Sequence, residues 1–392
     1  MSTKRVHNFN AGPSCLPLPI LEEMREGFMN FGGMSIFEIS HRSKDYEAIN
    51  DETAALVKEL LAVPDNYRIA FLQGGASLQF AMVPMNLLEQ SADYALTGHW
   101  SERALKEAKV IGNTNVVFSS KEQNFTRCPR KDEVRATPGA SYLHITTNNT
   151  IYGTQYFEMP ETGSVPMIAD MSSDILSRAI DVSKFGLIYA GAQKNLGPAG
   201  VTLVIIRDDL VKREARPLPT ILKYATHVEA KSLFNTPPVF AVYLMNLMLK
   251  WVKREGGLKE IQRRNDEKAA HLYSAIDGSQ IYKGTASKES SAAEVVLPAG
   301  ALTTRMPRSV AALTSMLSMP TPARAMIFRF LPRSMTSRPT FEALRTMSPS
   351  KGSMQSRSSS CLSEGLNVTS RCACRASASS PAFESPSVQR IL

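Results

Sequence analysis

The sequence is poor in several features that would settle its class early. It has five cysteines among 392 residues; Cys15 and Cys128 stand far apart, and Cys361, Cys372 and Cys374 cluster without a nearby histidine. Neither a disulfide framework nor a zinc site follows from that pattern. No uninterrupted apolar run reaches bilayer-crossing length, which argues against spanning helices. The basic opening residues are not followed by an apolar stretch, so no secretory signal is read there and a cytoplasmic location is expected. Aspartate and histidine are both absent after residue 290. From Ala301 onward twelve Lys+Arg face three Asp+Glu, a surplus equal to the net charge of +9 for the whole chain. The first 300 residues are therefore balanced, and the basic character that would raise the question of nucleic acid belongs to the tail alone.

What is present is enough chain for one large or two ordinary domains. With 43% hydrophobic and 21% charged residues, the composition is that of an ordinary globular enzyme. Helical spacing of apolar residues runs from Ile20 to Met29 and from Tyr46 to Leu61. A strand is expected at Arg68–Leu72, and further short apolar runs at 116–118, 142–146, 166–169, 187–190 and 201–206, with a helix at 102–108 between some of them. Two long helices follow at 239–252 and 258–276. The pattern predicts an α/β fold, a mixed sheet wrapped by helices. Past residue 290 the periodicity dissolves into Ser, Arg, Pro, Met and Ala, and no firm structure is expected.

Three segments carry chemistry. Lys194 sits in Tyr189-Ala190-Gly191-Ala192-Gln193-Lys194-Asn195-Leu196-Gly197, where small neighbours leave room for a planar group and desolvation favours a neutral, nucleophilic amine. On spacing alone, a surface lysine in a glycine-rich turn is the simpler reading. An apolar strand, Val165 to Ala169, ends in Asp170 about one crossover before that lysine, and ligands collect at the carboxyl ends of sheet strands. Alone, Asp170 reads as a loop or helix-capping residue; beside Lys194 it reads as the partner of a protonated pyridine nitrogen. Phe71-Leu72-Gln73-Gly74-Gly75-Ala76-Ser77 is a strand, a glycine turn and the start of a helix, which offers backbone N–H groups to an anion. Any strand-to-helix connection can want glycine, so that signal is weak by itself.

Taken in order, Phe9-Asn10-Ala11-Gly12-Pro13, Ser40-His41-Arg42-Ser43, Gln73-Gly74-Gly75, Gly98-His99-Trp100 and Ala190-Gly191-Ala192-Gln193-Lys194-Asn195 resemble the motifs of the phosphoserine aminotransferases, over about the first 285 residues. The resemblance implies a fold-type I pyridoxal 5'-phosphate (PLP) transferase with a mostly parallel sheet. It implies a large domain over 1–255, the start of a small domain over 256–289, and an atypical tail over 290–392, expected to be disordered. Lys194 would hold PLP as a Schiff base and move the substrate proton, with Asp170 at the pyridine nitrogen, Trp100 stacked on the ring and Thr150 at the phenolic oxygen. Ala76, Ser77 and Gln193 would hold the phosphate, joined by Asn235 and Thr236 of a neighbouring subunit in a homodimer. His41 and Arg42 would meet the substrate's phosphate or second carboxylate. The implied reaction exchanges the amino group of O-phospho-L-serine with 2-oxoglutarate, giving 3-phosphooxypyruvate and L-glutamate, in serine biosynthesis and in the related 4-phosphohydroxy-L-threonine step of pyridoxine biosynthesis. No nucleic acid, membrane or metal is implied.

The tail departs from that family. Members continue into a small α/β domain with a Gly-His-Arg-Ser-Val-Gly-Gly-like stretch and an arginine for the substrate α-carboxylate. Here the nearest echo, Pro307-Arg308-Ser309-Val310-Ala311-Ala312, lacks the histidine and both glycines. The tail's composition resembles translation in an unintended reading frame, so the small domain is expected to be missing. An inactive remnant of the enzyme, or a basic arm for nucleic acid, are the competing readings.

Overall fold

The computed structural model describes Arg5, residues 8–280 and residues 283–290. These lie within one unit of the chain, Met1–Phe330. The expected disorder of the tail and the Pro307–Ala312 echo fall outside the described residues.

The chain opens with helix α1 (Leu18–Met29), entered through prolines, where a missing N–H and a preset φ cost the first turn nothing. Helix α2 (Lys44–Leu60) is capped by Ser43, whose Oγ accepts the Tyr46 N–H at 3.2 Å; Asp45 and Glu47 sit in its first turn and Lys58 in its last. Both placements suit the helix dipole. Strand β1 (Tyr67–Leu72), helix α3 (Gly75–Leu87), strand β2 (Ser91–Leu96), helix α4 (His99–Ile111) and strand β3 (Asn113–Ser119) follow. After β4 (Leu143–Thr146) come a two-stranded ribbon of β5 (Asn148–Asn149) and β6 (Thr154–Gln155), then β7 (Met167–Asp170), β8 (Leu187–Gly191) and β9 (Thr202–Arg207). Helices α5 (Asp208–Val211), α6 (Tyr224–Glu229), α7 (Val239–Arg254) and α8 (Gly257–Asp277) complete the described elements.

The main sheet has seven strands in the order β1-β9-β8-β7-β4-β2-β3. The pairs β2–β3, β2–β4, β4–β7 and β7–β8 are parallel, while β9 runs antiparallel to both β8 and β1. Among these seven strands only β9 is reversed, so the carboxyl ends of the other six share one edge. The expected mostly parallel α/β sheet is the one observed.

Alternate residues of the strands feed two cores. On one face Leu143, Ile145, Ala169, Ile188, Leu203 and Ile205 pack with residues of α2 and α7. Helix α7 is buried from Ala241 through Leu249, as a helix apolar nearly all round should be. On the other face, the polar-faced core, Tyr94, Tyr142, Ile168, Tyr189 and Val204 pack with α3, α4 and Tyr224 of α6. Strand β2, which lies inside the sheet, is not expected from the sequence. Ser91-Ala92-Asp93-Tyr94-Ala95-Leu96 does not look apolar because Asp93 is buried, where it accepts from Asn115 Nδ2 at 2.9 Å and from the Thr137 N–H at 2.5 Å. Tertiary partners there satisfy a charge that a sequence pattern counts as a loop signal.

Candidate active site

The shared edge gathers the residues singled out from the sequence. Strand β1 delivers the Gly74 turn and α3, β2 delivers Gly98 and Trp100, and β4 leads to Thr150. Strand β7 ends on Asp170, and β8 runs out through Gly191 to Lys194. This is the location where a parallel sheet presents ligands to helix N-termini.

Lys194 Nζ donates to Thr150 Oγ1 at 2.5 Å. Its ammonium is pulled below the usual lysine value, mainly by desolvation, against the opposing pull of the Asp170 and Asp174 carboxylates. A partly desolvated lysine of this kind has a larger neutral, nucleophilic fraction. Asp170 is only 5% exposed. Its Oδ1 accepts the Ser172 N–H at 2.9 Å. Burial raises its pKa, partly opposed by hydrogen bonds from Ser172 and by Lys194. Among the described residues no cation lies within ion-pairing distance of it. A buried carboxylate so placed calls for a cationic or N–H-bearing partner.

The lysine loop is held from several sides. Ser14 donates its backbone N–H to Gln193 O at 2.9 Å and its hydroxyl to Lys194 O. A Cβ on Gly12 would stand 3.0 Å from Lys194 Cγ, so the opening segment passes close against the lysine stem. Asn195 Nδ2 donates to Ile175 O at 3.2 Å. Below it, Thr147 Oγ1 is bonded to Asp174 Oδ1 at 2.6 Å and Asp170 O at 3.1 Å. Nothing in the sequence of Asn10-Ala11-Gly12-Pro13 shows this clamping part, and Ser14, Thr147, Ser172 and Asp174 were not among the expected site residues. The spacing Asp170-x-x-x-Asp174 was the available signal for the last.

The turn expected to face an anion is a strand-to-helix turn at the N-terminus of α3. Gly74 caps α3 with φ +85°, a left-handed conformation that favours glycine. No side chain caps that N-terminus, so the first-turn N–H groups at Ala76 and Ser77 face outward with the positive end of the helix. Gln73 Nε2 donates to Thr236 O at 2.8 Å, and Asn235 Nδ2 reaches Gln73 Oε1 at 3.4 Å. The loop carrying Asn235 and Thr236 therefore lies beside this turn within the chain. Trp100, half-buried in the first turn of α4, packs against the polar-faced core and carries the Arg103 guanidinium 5.6 Å from its ring centroid. His41 is half-buried and Arg42 exposed in the turn before α2. They share no hydrogen bond or ion pair with the Lys194 cluster.

Residues 6–300 match the class-V aminotransferase family. The chain belongs to the phosphoserine aminotransferases of that family. It is 58% identical over 292 residues to a phosphoserine aminotransferase of Geobacillus kaustophilus, covering 73% of this chain and 81% of the relative. To that of Bacillus subtilis it is 52% identical over 292 residues, with 73% and 81% covered. The solved phosphoserine aminotransferase of Bacillus circulans subsp. alkalophilus superposes with a TM-score of 0.73 at 50% identity, over 74% of this chain and 82% of that one. A PLP-bound phosphoserine aminotransferase from Trichomonas vaginalis gives 0.70 at 37% identity, over 74% and 82%.

The cofactor of this family is PLP, and the residues present fit it: a desolvated amine, a buried carboxylate lacking a protein cation, and an uncapped helix N-terminus on one sheet edge. Among the described residues no cluster of His, Cys, Asp and Glu is suited to a metal ion, and no helix is long and apolar enough to cross a membrane.

Proposed function

We propose that this phosphoserine aminotransferase moves the amino group of O-phospho-L-serine to 2-oxoglutarate, giving 3-phosphooxypyruvate and L-glutamate. The observation that carries the reading is Lys194 Nζ, depressed in basicity by desolvation and held by Thr150 on the strand edge that ends in Asp170. Bound PLP supplies an aldehyde for the amino group and an electron-poor ring that spreads the charge left when Cα loses its proton. Lys194 takes that proton and returns it, which requires the neutral amine that desolvation favours. With PLP bound, Asp170 would pair with the ring nitrogen, Trp100 would stack on the ring and Thr150 would hydrogen-bond the phenolic oxygen. The α3 N-terminus at Ala76 and Ser77 would hold the phosphate with Gln193. Asn235 and Thr236 complete the same site in a second copy of the chain, so the working unit is a homodimer. His41 and Arg42, whose side chains make no hydrogen bond or ion pair among the described residues, attract the substrate's phosphate or distal carboxylate. In this reading 1–255 form the cofactor-binding domain, 256–289 begin a smaller one, and the protein works in the cytoplasm.

A second reading rests on the C-terminus. The matches to the Geobacillus and Bacillus enzymes take in 81% of those chains, and the tail from residue 290 lacks the family's Gly-His-Arg motif. If the substrate carboxylate clamp is gone with it, cofactor binding outlives turnover. One experiment addresses both readings. Purified protein mixed with PLP is reduced with borohydride, digested and mapped, and turnover is measured in parallel. Attachment at Lys194, lost in Lys194→Ala, is expected; covalent cofactor persisting in Lys194→Ala would falsify the site. Attachment without turnover identifies the remnant.

A further inference from the structure

The polar-faced core contains a buried histidine that the proposed chemistry does not use. His144 is 1% exposed and its Nε2 shares a 2.8 Å hydrogen bond with Tyr189 OH. The strand registers fix where this bond runs. His144 on β4 pairs with Ile168 on β7, while Tyr189 on β8 pairs with Asp170 on β7. Residues 144, 168, 170 and 189 lie on one face of the sheet, so the bond reaches from β8 to β4 across β7, between the levels of Ile168 and Asp170. It passes on the side of Asp170 away from the strand end, while Asp170 Oδ1 takes the Ser172 N–H at that end.

The rest of the surround fixes the imidazole rather than offering it to a ligand. Tyr94 stacks on it with centroids 5.0 Å apart and planes 23° from parallel, and Tyr94 OH is bonded to Tyr142 OH at 2.8 Å. On the other side of Asp170 from Tyr189 stands its second register partner, Thr146. The Thr146 hydroxyl is buried without a hydrogen-bond partner among the described residues, as is His144 Nδ1. The groups around the imidazole are phenols and a hydroxyl, with Asp170 as the nearby carboxylate at the next level of the sheet. Burial drives the His144 pKa down to about 3. A cation at that point would draw the Asp170 carboxylate back into the sheet and compete with a pyridinium in front of it. A neutral imidazole gives Asp170 a firm backing without that competition.

We propose that the His144–Tyr189 hydrogen bond is a neutral crossbar behind Asp170, and that both are positioning residues which hold its carboxylate forward toward the cofactor's ring nitrogen. This rests on the assignment of Asp170 above, and the test separates the two. Replacing one member leaves a buried partner orphaned, whereas replacing both by apolar groups of similar shape removes the bond with little loss of packing. Apo-protein is therefore prepared as native and as His144→Phe/Tyr189→Phe. Affinities are measured by fluorescence titration for PLP and for the analogue in which carbon replaces the ring nitrogen. Native protein is expected to prefer PLP. In the double variant that preference should shrink about tenfold or more, the scale of one misplaced charge-assisted hydrogen bond, with affinity for the analogue changing less. Tyr189→Phe alone carries the same expectation should the double variant fail to fold, and His144→Gln, whose amide can donate to or accept from Tyr189 OH, should retain most of the preference. A loss that is equal for both ligands, or no loss at all, overturns the crossbar. Absence of any preference in the native protein overturns the Asp170 assignment and the crossbar with it.

Discussion

The two faces of the sheet are built from the same strands and differ in one step of the alternation. Ile145, Ala169, Ile188 and Ile205 point into an apolar core against α2 and α7, while His144, Asp170, Tyr189 and Tyr94 point into a core threaded with hydrogen bonds. The first face is held chiefly by burial, with Asn246 Nδ2 on Thr53 Oγ1 at 3.2 Å bridging α7 and α2, and its apolar positions tolerate shape-conserving exchange. The second hides polar atoms joined by hydrogen bonds, with Thr146 Oγ1 and His144 Nδ1 left unpaired among the described residues, and in return fixes where a carboxylate stands. The difference teaches that stability and chemistry are divided between adjacent residues of one strand rather than between separate regions of the fold.

The sharpest test of this division uses neighbours on β8. Ile188→Ala, on the apolar face, is expected to lower unfolding free energy by about 2–5 kcal/mol, read by urea denaturation. The folded fraction should keep its capacity for PLP; loss of cofactor affinity in protein shown to be folded would break the comparison. The acid limb gives a smaller effect. The pKa of His144 falls from an ordinary 6.5 to about 3 in the fold, so between these values the unfolded chain binds the extra proton and stability drops as pH falls. The slope is about 1.4 kcal/mol per pH unit for one proton. Denaturation series between pH 4 and 7 should show a limb shallower by that amount in His144→Phe/Tyr189→Phe than in native protein. An unchanged limb means His144 is not held neutral. Smallest is Tyr142→Phe, which removes one hydroxyl from Tyr94 and should cost about 1 kcal/mol with PLP affinity intact.

How much of this was legible depended on what the pattern encodes. The apolar face was readable, because Leu187–Ala190 and Val201–Ile206 announce themselves as strands by continuous burial. Lys194, Asp170 and the Gly74 turn were readable because a lysine among small residues, a carboxylate after an apolar run and a glycine pair each depart from the local rule. Strand β2 was not, since Asp93 owes its burial to Asn115 and Thr137, partners remote in sequence. His144 was not either. Nothing in Leu143-His144-Ile145-Thr146 says that Tyr189, 45 residues on, will meet it. The grip of Ser14 on the lysine loop was invisible for the same reason.

That grip has a consequence for the order in which the molecule is made. Ser14 and Lys194 are 180 residues apart, so during synthesis the opening strap must wait, unanchored, until about half the polypeptide has followed it out. Closing so long a loop is slow relative to local contacts. The Lys194 loop is therefore fastened late, after the strands that present it exist to be fastened to.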